Sequence, residues 1–322
     1  MPPEQIFLLN QASSSNLRSK RSYGDKRVIK DLPKTVFILG IGAHKGGTTW
    51  LADQFKKAGA KFPLGKEAHI WDAIEQQESG ELAGAAWLTK EKPKRKRESR
   101  VTRERKKIRN SPGNYSSYYH NFAERNKINF VGDITPLYSA LSIETLTRIR
   151  RELVDEGFRI KVFFSARDPY SRIWSAARAQ TKRKHKSKLK NSSSSHSLTA
   201  QNAQSQLEVN YKKASCKNRT RYDLIVPKLK EVFAGDELKI CFFEELITQQ
   251  GYADLASFIG LASTHAETDS PSRVSPSIEE PDHQLKKAII NHYSETYEYM
   301  MKVFPRSKKL WADSIGLLEK RI

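Results

Sequence analysis

A glycine-rich turn directly behind an apolar run is the feature that most restricts the fold of this chain. Residues 42–51 read GAHKGGTTWL and follow the apolar run of residues 35–41. A buried strand, a glycine turn and a helix that begins with hydroxyl side chains are typical of a phosphate-binding element. In the nucleotide-hydrolase pattern G-x-x-x-x-G-K-[ST] the lysine follows the last glycine, whereas here Lys45 precedes Gly46 and Gly47. The sequence therefore predicts an anion-binding turn built in a different order.

The rest of the chain alternates between apolar strands and helical patterns. Strands are predicted at residues 35–41, 61–64, 129–132, 158–166 and 238–243, and helices at residues 48–58, 170–180, 222–233 and 252–259, with a helical tail from Asp282. Strands that alternate with helices indicate an α/β fold with a central parallel sheet flanked by helices. The glycine turn makes this fold P-loop-like.

The domain organisation is predicted from composition. Residues 1–34 are polar and basic, and we expect a poorly ordered arm there. Residues 35–322 are expected to form a single domain with basic insertions near residues 90–109 and 181–205. The insertions are interpreted either as solvated charge or as a rim that gathers an anionic acceptor by long-range attraction.

The charge balance favours anionic partners. Lys and Arg number 57 against 36 Asp and Glu, so the formal net charge is +21. Nucleotides, nucleic acids, sulfated or phosphorylated glycans and anionic surfaces all fit this excess. The two cysteines, Cys216 and Cys241, form neither a metal-site pattern nor a disulfide framework. No apolar run approaches the roughly 18 residues of a membrane span, and no signal peptide pattern is present, so we expect a soluble, cytoplasmic protein.

A second strand–helix junction carries residues that suit another phosphate. The strand predicted at residues 158–166 is followed by RDPYSRIWS, in which Asp168 and Pro169 are suited to begin the next helix. Arg167 is then expected at the carboxyl end of the sheet, where open α/β folds bind ligands. The hydroxyl of Ser175 can face the same ligand. An arginine and a serine on a separate junction suit a second, distant phosphate of one nucleotide.

Together the two junctions resemble the sulfotransferases that use 3′-phosphoadenosine 5′-phosphosulfate (PAPS). That family's 5′-phosphosulfate loop has a lysine before the glycine and then paired hydroxyls, as at residues 45–50, and its 3′-phosphate motif R-D-P-x-x-R-x-x-S is matched by residues 167–175. KEAHIWD (residues 66–72) is similar to K-E-P-H-F-F-D of the heparan-sulfate branch, and GDITPLY, FFEEL and SFIGL resemble further family segments. The resemblance covers roughly residues 35–305 and is strongest to heparan-sulfate-type and bacterial carbohydrate sulfotransferases.

The resemblance implies a set of donor-binding residues. Those expected to bind PAPS, or its product adenosine 3′,5′-bisphosphate (PAP), are Lys45, Gly46, Gly47, Thr48, Thr49, Trp50, Arg167 and Ser175, with Arg273 as a loose match to a loop over the 3′-phosphate. Lys45 is also expected to be catalytic, because it would stabilise the oxygen that bridges sulfur and phosphorus. Lys66 is a further candidate contact to the phosphosulfate, and His44 is predicted to be structural. A sulfuryl group carries one negative charge rather than two, so we expect its transfer to need no metal ion.

Two residues are candidates for the base that accepts the acceptor's proton. Glu67 holds the position of the catalytic glutamate in the heparan-sulfate branch, and its neighbours Ile70 and Trp71 predict a partly desolvated carboxyl group with a raised pKa. His69 is the alternative, because another branch of the family uses histidine, although it can equally be a histidine packed against the strand ends. Asp133 stands near the place of a lysine in the heparan-sulfate branch, and its role stays open.

The predicted reaction moves a sulfuryl group from PAPS to a free hydroxyl of a carbohydrate or a small hydroxylated metabolite, and anionic glycans are among the candidate acceptors. Two alternatives come from other classes. A small kinase of P-loop type would use Lys45 as a displaced P-loop lysine and would depend on a metal ion. A nucleic-acid-binding protein is disfavoured because the basic runs are not interleaved with aromatic residues that stack on bases. We therefore expect no specific nucleic-acid partner.

Overall fold

Four parallel strands form the centre of the structure. The computed structural model describes residues 35–80, 98–191, 200–262 and 280–319. The strands are β1 (Val36–Gly42), β2 (Phe130–Ile134), β3 (Arg159–Ala166) and β4 (Leu238–Phe242), in the order β2-β1-β3-β4. The Cα partners of Val36 are Phe130 in β2 and Arg159 in β3, and both pairings are parallel. The predicted α/β fold class with a central parallel sheet is confirmed.

Helices connect and flank the strands. They are α1 (Thr48–Lys57), α2 (Trp71–Ser79), α3 (Arg100–Asn110), α4 (Asn114–Asn126), a 3₁₀ helix (Pro136–Ala140), α5 (Ile143–Asp155), α6 (Pro169–Asn191), α7 (Ala200–Asn210), α8 (Ala214–Lys217), α9 (Tyr222–Val232), α10 (Phe243–Leu246), α11 (Gln249–Ile259), α12 (His283–His292), α13 (Ser294–Val303), α14 (Ser307–Leu310) and α15 (Ala312–Ile315). Within the described ranges, no helix has both the length and the apolar character needed to cross a membrane.

β1 is buried on both faces because its apolar side chains alternate between two hydrophobic clusters. Phe37, Leu39 and Ile41 belong to one cluster, and Val36 and Ile38 belong to the other. Successive side chains of a strand point to opposite faces of the sheet. A continuous apolar run is therefore what a central strand needs when helices cover both sides of the sheet.

The strand predicted at residues 61–64 is wrong. Within this stretch Lys61 forms an isolated parallel bridge with Val131. Pro63 has no N–H to donate to a neighbouring strand, and the chain turns at Gly65, whose φ is 78°. The segment therefore becomes a turn that leads toward α2.

The basic insertions are largely helical where the structure describes them. Residues 100–109 lie in α3, and α6 runs on to Asn191 before α7 begins at residue 200. The predicted arm at residues 1–34 lies outside the described residues, as do residues 90–97 of the first insertion and residues 192–199 of the second.

The carboxyl ends of the strands bring the two predicted phosphate junctions to the same edge of the sheet. β1 ends at Gly42, directly before the glycine turn, and β3 ends at Ala166, directly before Arg167. β2 and β3 pair with opposite sides of β1, so the strand order reverses there. In open α/β sheets this reversal creates a crevice outside the carboxyl ends of the strands, where ligands bind.

Candidate active site at the carboxyl edge of the sheet

The glycine turn between β1 and α1 is held against β3. The Ala43 N–H donates to the carbonyl of Ser165 at 2.8 Å, and Ser165 Oγ donates to the carbonyl of Gly46 at 2.5 Å. A Cβ at Gly46 would collide with the Ser165 carbonyl oxygen, and Gly47 has a φ of 77°, so the turn requires glycine at both positions. The N–H groups that begin α1 are thereby brought to the edge of the sheet, where a helix N-terminus attracts an anion.

Arg167 extends from the end of β3 to the same turn. Its Nη1 donates to the carbonyl oxygen of Lys45 at 3.0 Å, and its guanidinium lies 4.3 Å from the centre of the Phe243 ring. Tyr222 Oη donates to the carbonyl of Arg167 at 2.9 Å. Ser175 is buried in α6, with 3% of its surface exposed. Lys45 and Arg167 are therefore in direct contact, although they lie 122 positions apart in the chain.

Cationic side chains surround Lys45. Burial lowers the pKa of the Lys45 amine to about 8, and the charges of Arg167 and Arg178 contribute to the same shift. Burial also lowers the pKa of Arg167. Buried like charges repel each other, and a nearby anion relieves this repulsion. The turn and the end of β3 therefore suit a ligand that carries several negative charges.

Residues 66–72, here called the 66–72 segment, contain side chains of alternating charge that contact one another in series. Lys66 Nζ donates to Thr48 Oγ1 at 3.0 Å and to Glu67 Oε1 at 2.6 Å. The second carboxylate oxygen of Glu67 lies 3.1 Å from His69 Nε2, and His69 Nδ1 lies 2.6 Å from Asp72 Oδ2. This series of side-chain contacts links the first turn of α1 to the first turn of α2. Both base candidates therefore lie beside the glycine turn.

The charges of the two base candidates are set by their partners more than by burial. Burial alone would raise the pKa of Glu67, but the hydrogen bond from His69 and the charge of Lys66 together lower this pKa to about 2. Burial alone would lower the pKa of His69, but its hydrogen bonds to Asp72 and Glu67 raise this pKa to about 9. At pH 7 the pair is therefore a carboxylate and an imidazolium. The raised pKa predicted for Glu67 is wrong, because two cationic partners outweigh desolvation.

Asp133 is a buried anchor for the 66–72 segment. Its carboxylate accepts hydrogen bonds from the N–H of Ala68 at 3.1 Å and from Thr135 Oγ1 at 2.6 Å. The hydroxyls of Tyr115 and Tyr138 also donate to it, at 3.0 and 2.9 Å. Asp133 is fully buried, and burial raises its pKa. Its oxygens are thus occupied by four donors, and it holds the backbone of the segment in place.

Two arginines of α3 donate hydrogen bonds to backbone carbonyl groups in and beside the 66–72 segment. Arg105 Nη2 donates to the carbonyl of Glu67 at 2.6 Å, and its Nε donates to the carbonyl of Leu64 at 3.0 Å. Arg109 donates from Nε and Nη2 to the carbonyl of His69, at 2.9 and 2.6 Å. These two side chains of the first basic insertion are therefore bound to the protein backbone rather than fully solvated. They position the backbone of both base candidates.

The other predicted site residues have different surroundings. Trp50 is 7% exposed and packs edge-to-face on Tyr252, with ring centres 5.8 Å apart. Thr49 is partly buried in the first turn of α1. Arg273 lies outside the described residues. Across the residues that are described, no group of three or more His, Cys, Asp and Glu side chains is placed to hold a metal ion.

Sequence reasoning missed three residues that organise this site: Asp72, Arg105 and Arg109. Asp72 follows His69 by three positions at the start of a helix, a spacing that allows side chains to meet and could have identified it. Arg105 and Arg109 are four positions apart, which places them on one face of α3. No local sequence pattern shows what this face contacts, because the carbonyl groups that it binds, those of Glu67 and His69, lie 38 and 40 positions away in the chain.

Comparison with solved structures identifies the architecture. The chain superposes on the crystal structure of a sulfotransferase from Alicyclobacillus acidocaldarius with a TM-score of 0.54 and 17% sequence identity, over 87% of this chain and 98% of that chain. The chain has a sulfotransferase-type fold. The chain also superposes on the sulfotransferase domain from the curacin biosynthetic pathway, with a TM-score of 0.43 and 16% sequence identity, over 84% of this chain and 98% of that chain. No protein-family model and no curated protein matches the sequence.

Proposed function

We propose that this chain is a PAPS-dependent sulfotransferase that acts on a hydroxyl group of a carbohydrate or a small hydroxylated metabolite. The observation that carries the proposal is the 3.0 Å hydrogen bond from Arg167 Nη1 to the carbonyl of Lys45. It joins the junction that resembles the 3′-phosphate motif to the turn that resembles the 5′-phosphosulfate loop. A nucleotide with phosphate groups at both positions requires these two elements in one site.

The residues at the edge of the sheet fit PAPS. The N–H groups that begin α1, with Lys45, Thr48 and Thr49, would hold the 5′-phosphosulfate, and Arg167 with Ser175 would hold the 3′-phosphate. When bound, PAPS supplies a sulfuryl group whose bond to the bridging oxygen breaks as its bond to the acceptor oxygen forms, which leaves PAP. Lys45 is mostly cationic at pH 7, because its pKa is about 8. Its charge would stabilise the negative charge that develops on the bridging oxygen.

In this proposal Glu67 is the base and His69 is a positioning residue. Glu67 is ionised at pH 7, so its carboxylate can accept the proton that the acceptor hydroxyl loses as it attacks sulfur. His69 is protonated at pH 7 and therefore lacks a lone pair for that proton. Its contacts on both ring nitrogens, to Glu67 and to Asp72, instead hold the carboxylate in one orientation.

Lys66 would couple donor binding to the strength of the base. Its amine contacts Thr48 on the donor side and Glu67 on the acceptor side. An anion bound in the glycine turn attracts this amine away from the carboxylate. Loss of a cationic partner raises the pKa of a carboxylate and makes it a stronger base. Glu67 would therefore gain basicity only after the donor binds.

Transfer of label from ³⁵S-labelled PAPS to glycans, phenols, lipids and peptides, measured with EDTA present, tests the proposal. We expect wild-type protein and Lys57→Ala to label the same acceptor, and Lys45→Ala to lose about 100-fold or more in rate. Lys57 is an exposed lysine in the last turn of α1, so its replacement removes the same charge away from the site. Absence of label on every acceptor would contradict the proposal, and label transfer that survives Lys45→Ala would contradict the role given to Lys45.

A further inference from the structure

A cavity of about 320 Å³ adjoins the glycine turn and is lined by His44, α6, α7, α8 and Arg219. Its volume falls within the roughly 300–1,000 Å³ that is usual for small-molecule sites. Lys45, Arg167 and Ser175 are not part of its lining, so it is distinct from the proposed PAPS contacts. The cavity is nevertheless close to the reacting groups. Arg172, which lines it, contributes to the lowered pKa of Lys45, and the charge of Glu67 acts on His44.

The lining of this cavity is cationic. Among the residues that the structure describes, the lining includes Arg172, Arg183, Lys213 and Arg219 and no Asp or Glu. Arg172 is 1% exposed, and its Nη2 donates to Cys216 Sγ at 3.1 Å. Its Nε has no hydrogen-bond partner among the residues that the structure describes. A buried guanidinium without an anionic partner is unfavourable, so this cavity has the chemistry of an anion site.

His44 adds a neutral hydrogen-bonding group to the same lining. Burial lowers the pKa of its imidazole well below the ordinary value, and the charges of Arg219 and Arg172 lower it further. Its Nδ1 is buried and lacks a hydrogen-bond partner in the described ranges. A neutral imidazole offers one donor and one acceptor. Because His44 directly precedes Lys45, a ligand bound to it lies next to the proposed phosphosulfate turn.

We propose that this cavity is an acceptor subsite for an oxyanion group, namely a carboxylate, phosphate or sulfate carried by the hydroxyl acceptor. The inference rests on the proposed sulfotransferase function and narrows its acceptors to anionic ones. The cavity cations, Arg172 and Arg219 among them, bind the oxyanion, and His44 bonds to a polar group of the same ligand. The acceptor hydroxyl then extends toward Glu67 and Lys45.

Thermal unfolding in increasing sodium sulfate, at ionic strength held constant with sodium chloride, tests the subsite with and without saturating PAP. Arg219→Gln and Arg183→Gln each remove a cavity cation. Lys217→Gln is the matched control, because Lys217 is exposed and does not line the cavity. We expect saturable stabilisation of the wild type and of the control, with the half-saturating sulfate concentration about 10-fold higher in Arg219→Gln.

Two outcomes of this titration overturn the subsite. An equal response to sulfate in the wild type, the control and the cavity variants shows that the cavity does not bind the anion. A loss of the PAP response in Arg219→Gln shows that the cavity belongs to the nucleotide instead.

Label transfer to a matched pair of acceptors separates failure of the subsite from failure of the proposed function. Methyl glucuronide carries a carboxylate where methyl glucoside carries a hydroxymethyl group. We expect kcat/KM for transfer to their shared ring hydroxyls to be about 10-fold higher for the glucuronide, with the preference lost in Arg219→Gln. Equal transfer to both, unchanged in the variant, overturns the subsite and leaves the sulfotransferase proposal standing. If neither is labelled and PAP does not stabilise the protein, the proposed function fails. The sulfate titration without PAP then still decides whether the cavity binds an oxyanion.

Discussion

The charge on His69 makes a pH-dependent contribution to stability that can be measured without any ligand. Hydrogen bonds to Asp72 and Glu67 overcome burial and raise the pKa of His69 from 6.5 to about 9. A raised pKa stabilises the folded protein fully below pH 6.5, and this contribution is lost as the pH rises through about 9. At about 1.4 kcal/mol per pH unit, the difference amounts to at most about 3 kcal/mol. The His69 side chain is 13% exposed, so solvent screens it little.

Urea unfolding of the wild type and of His69→Asn from pH 6 to pH 10 measures this contribution. We expect the free energy of unfolding of the wild type to exceed that of the variant most at pH 6, and the excess to fall by up to about 3 kcal/mol at pH 10. His120→Asn is the control, because His120 is a histidine at the surface whose imidazole lies 3.2 Å from the exposed Glu124. An excess for His69 that stays constant from pH 7 to pH 10 would refute the imidazolium and, with it, the assignment of His69 as a positioning residue.

Three further predictions concern the same segment. Glu67→Gln should lower kcat by about 100-fold or more with nearly unchanged affinity for PAP, and His69→Asn should lower it less; steady-state kinetics with the opposite ranking would make the histidine the base. Asp133→Asn should lower the free energy of unfolding by about 1–3 kcal/mol in urea titrations, because at least one buried donor loses its acceptor; an unchanged midpoint would argue against the anchor. Arg109→Gln should reduce kcat by about 10-fold by loosening the segment, whereas Arg103→Gln, at an exposed position of the same helix, should leave kcat unchanged; equal kcat values for both variants would contradict the positioning role.

The parts of the fold and site that follow from local sequence patterns were predictable. The apolar run of β1, the glycines of the turn and the RDP junction each carry their signal within about ten residues, because a buried strand followed by a helix start needs specific residue types in order. The parallel sheet, the position of Lys45 in the turn and the position of Arg167 at the end of β3 could therefore be predicted without coordinates. The strand predicted at residues 61–64 failed because its apolar side chains pack in a turn, where Pro63 ends the backbone pairing.

The features that escaped prediction depend on contacts between distant parts of the chain. Asp133 accepts a hydrogen bond from the N–H of Ala68, 65 positions earlier in the chain, and this contact makes its carboxylate an anchor for the 66–72 segment. The pKa of Glu67 was predicted from its apolar neighbours in sequence. It is instead lowered by Lys66 and His69, whose side chains fold back onto the carboxylate. Sequence adjacency does not fix the direction of a side chain, so the sign of such a shift requires the structure.

Isothermal titration of the chain with PAP and with adenosine 5′-monophosphate, both in EDTA, and with Mg²⁺-ATP tests the use of PAPS most directly. PAP should bind about 10-fold or more tightly than the monophosphate, because Arg167 and Ser175 hold the additional 3′-phosphate. This gain should disappear in Arg167→Ala and diminish in Ser175→Ala. Equal affinity of the wild type for PAP and the monophosphate, or tighter binding of Mg²⁺-ATP than of PAP, would contradict a PAPS-dependent sulfotransferase.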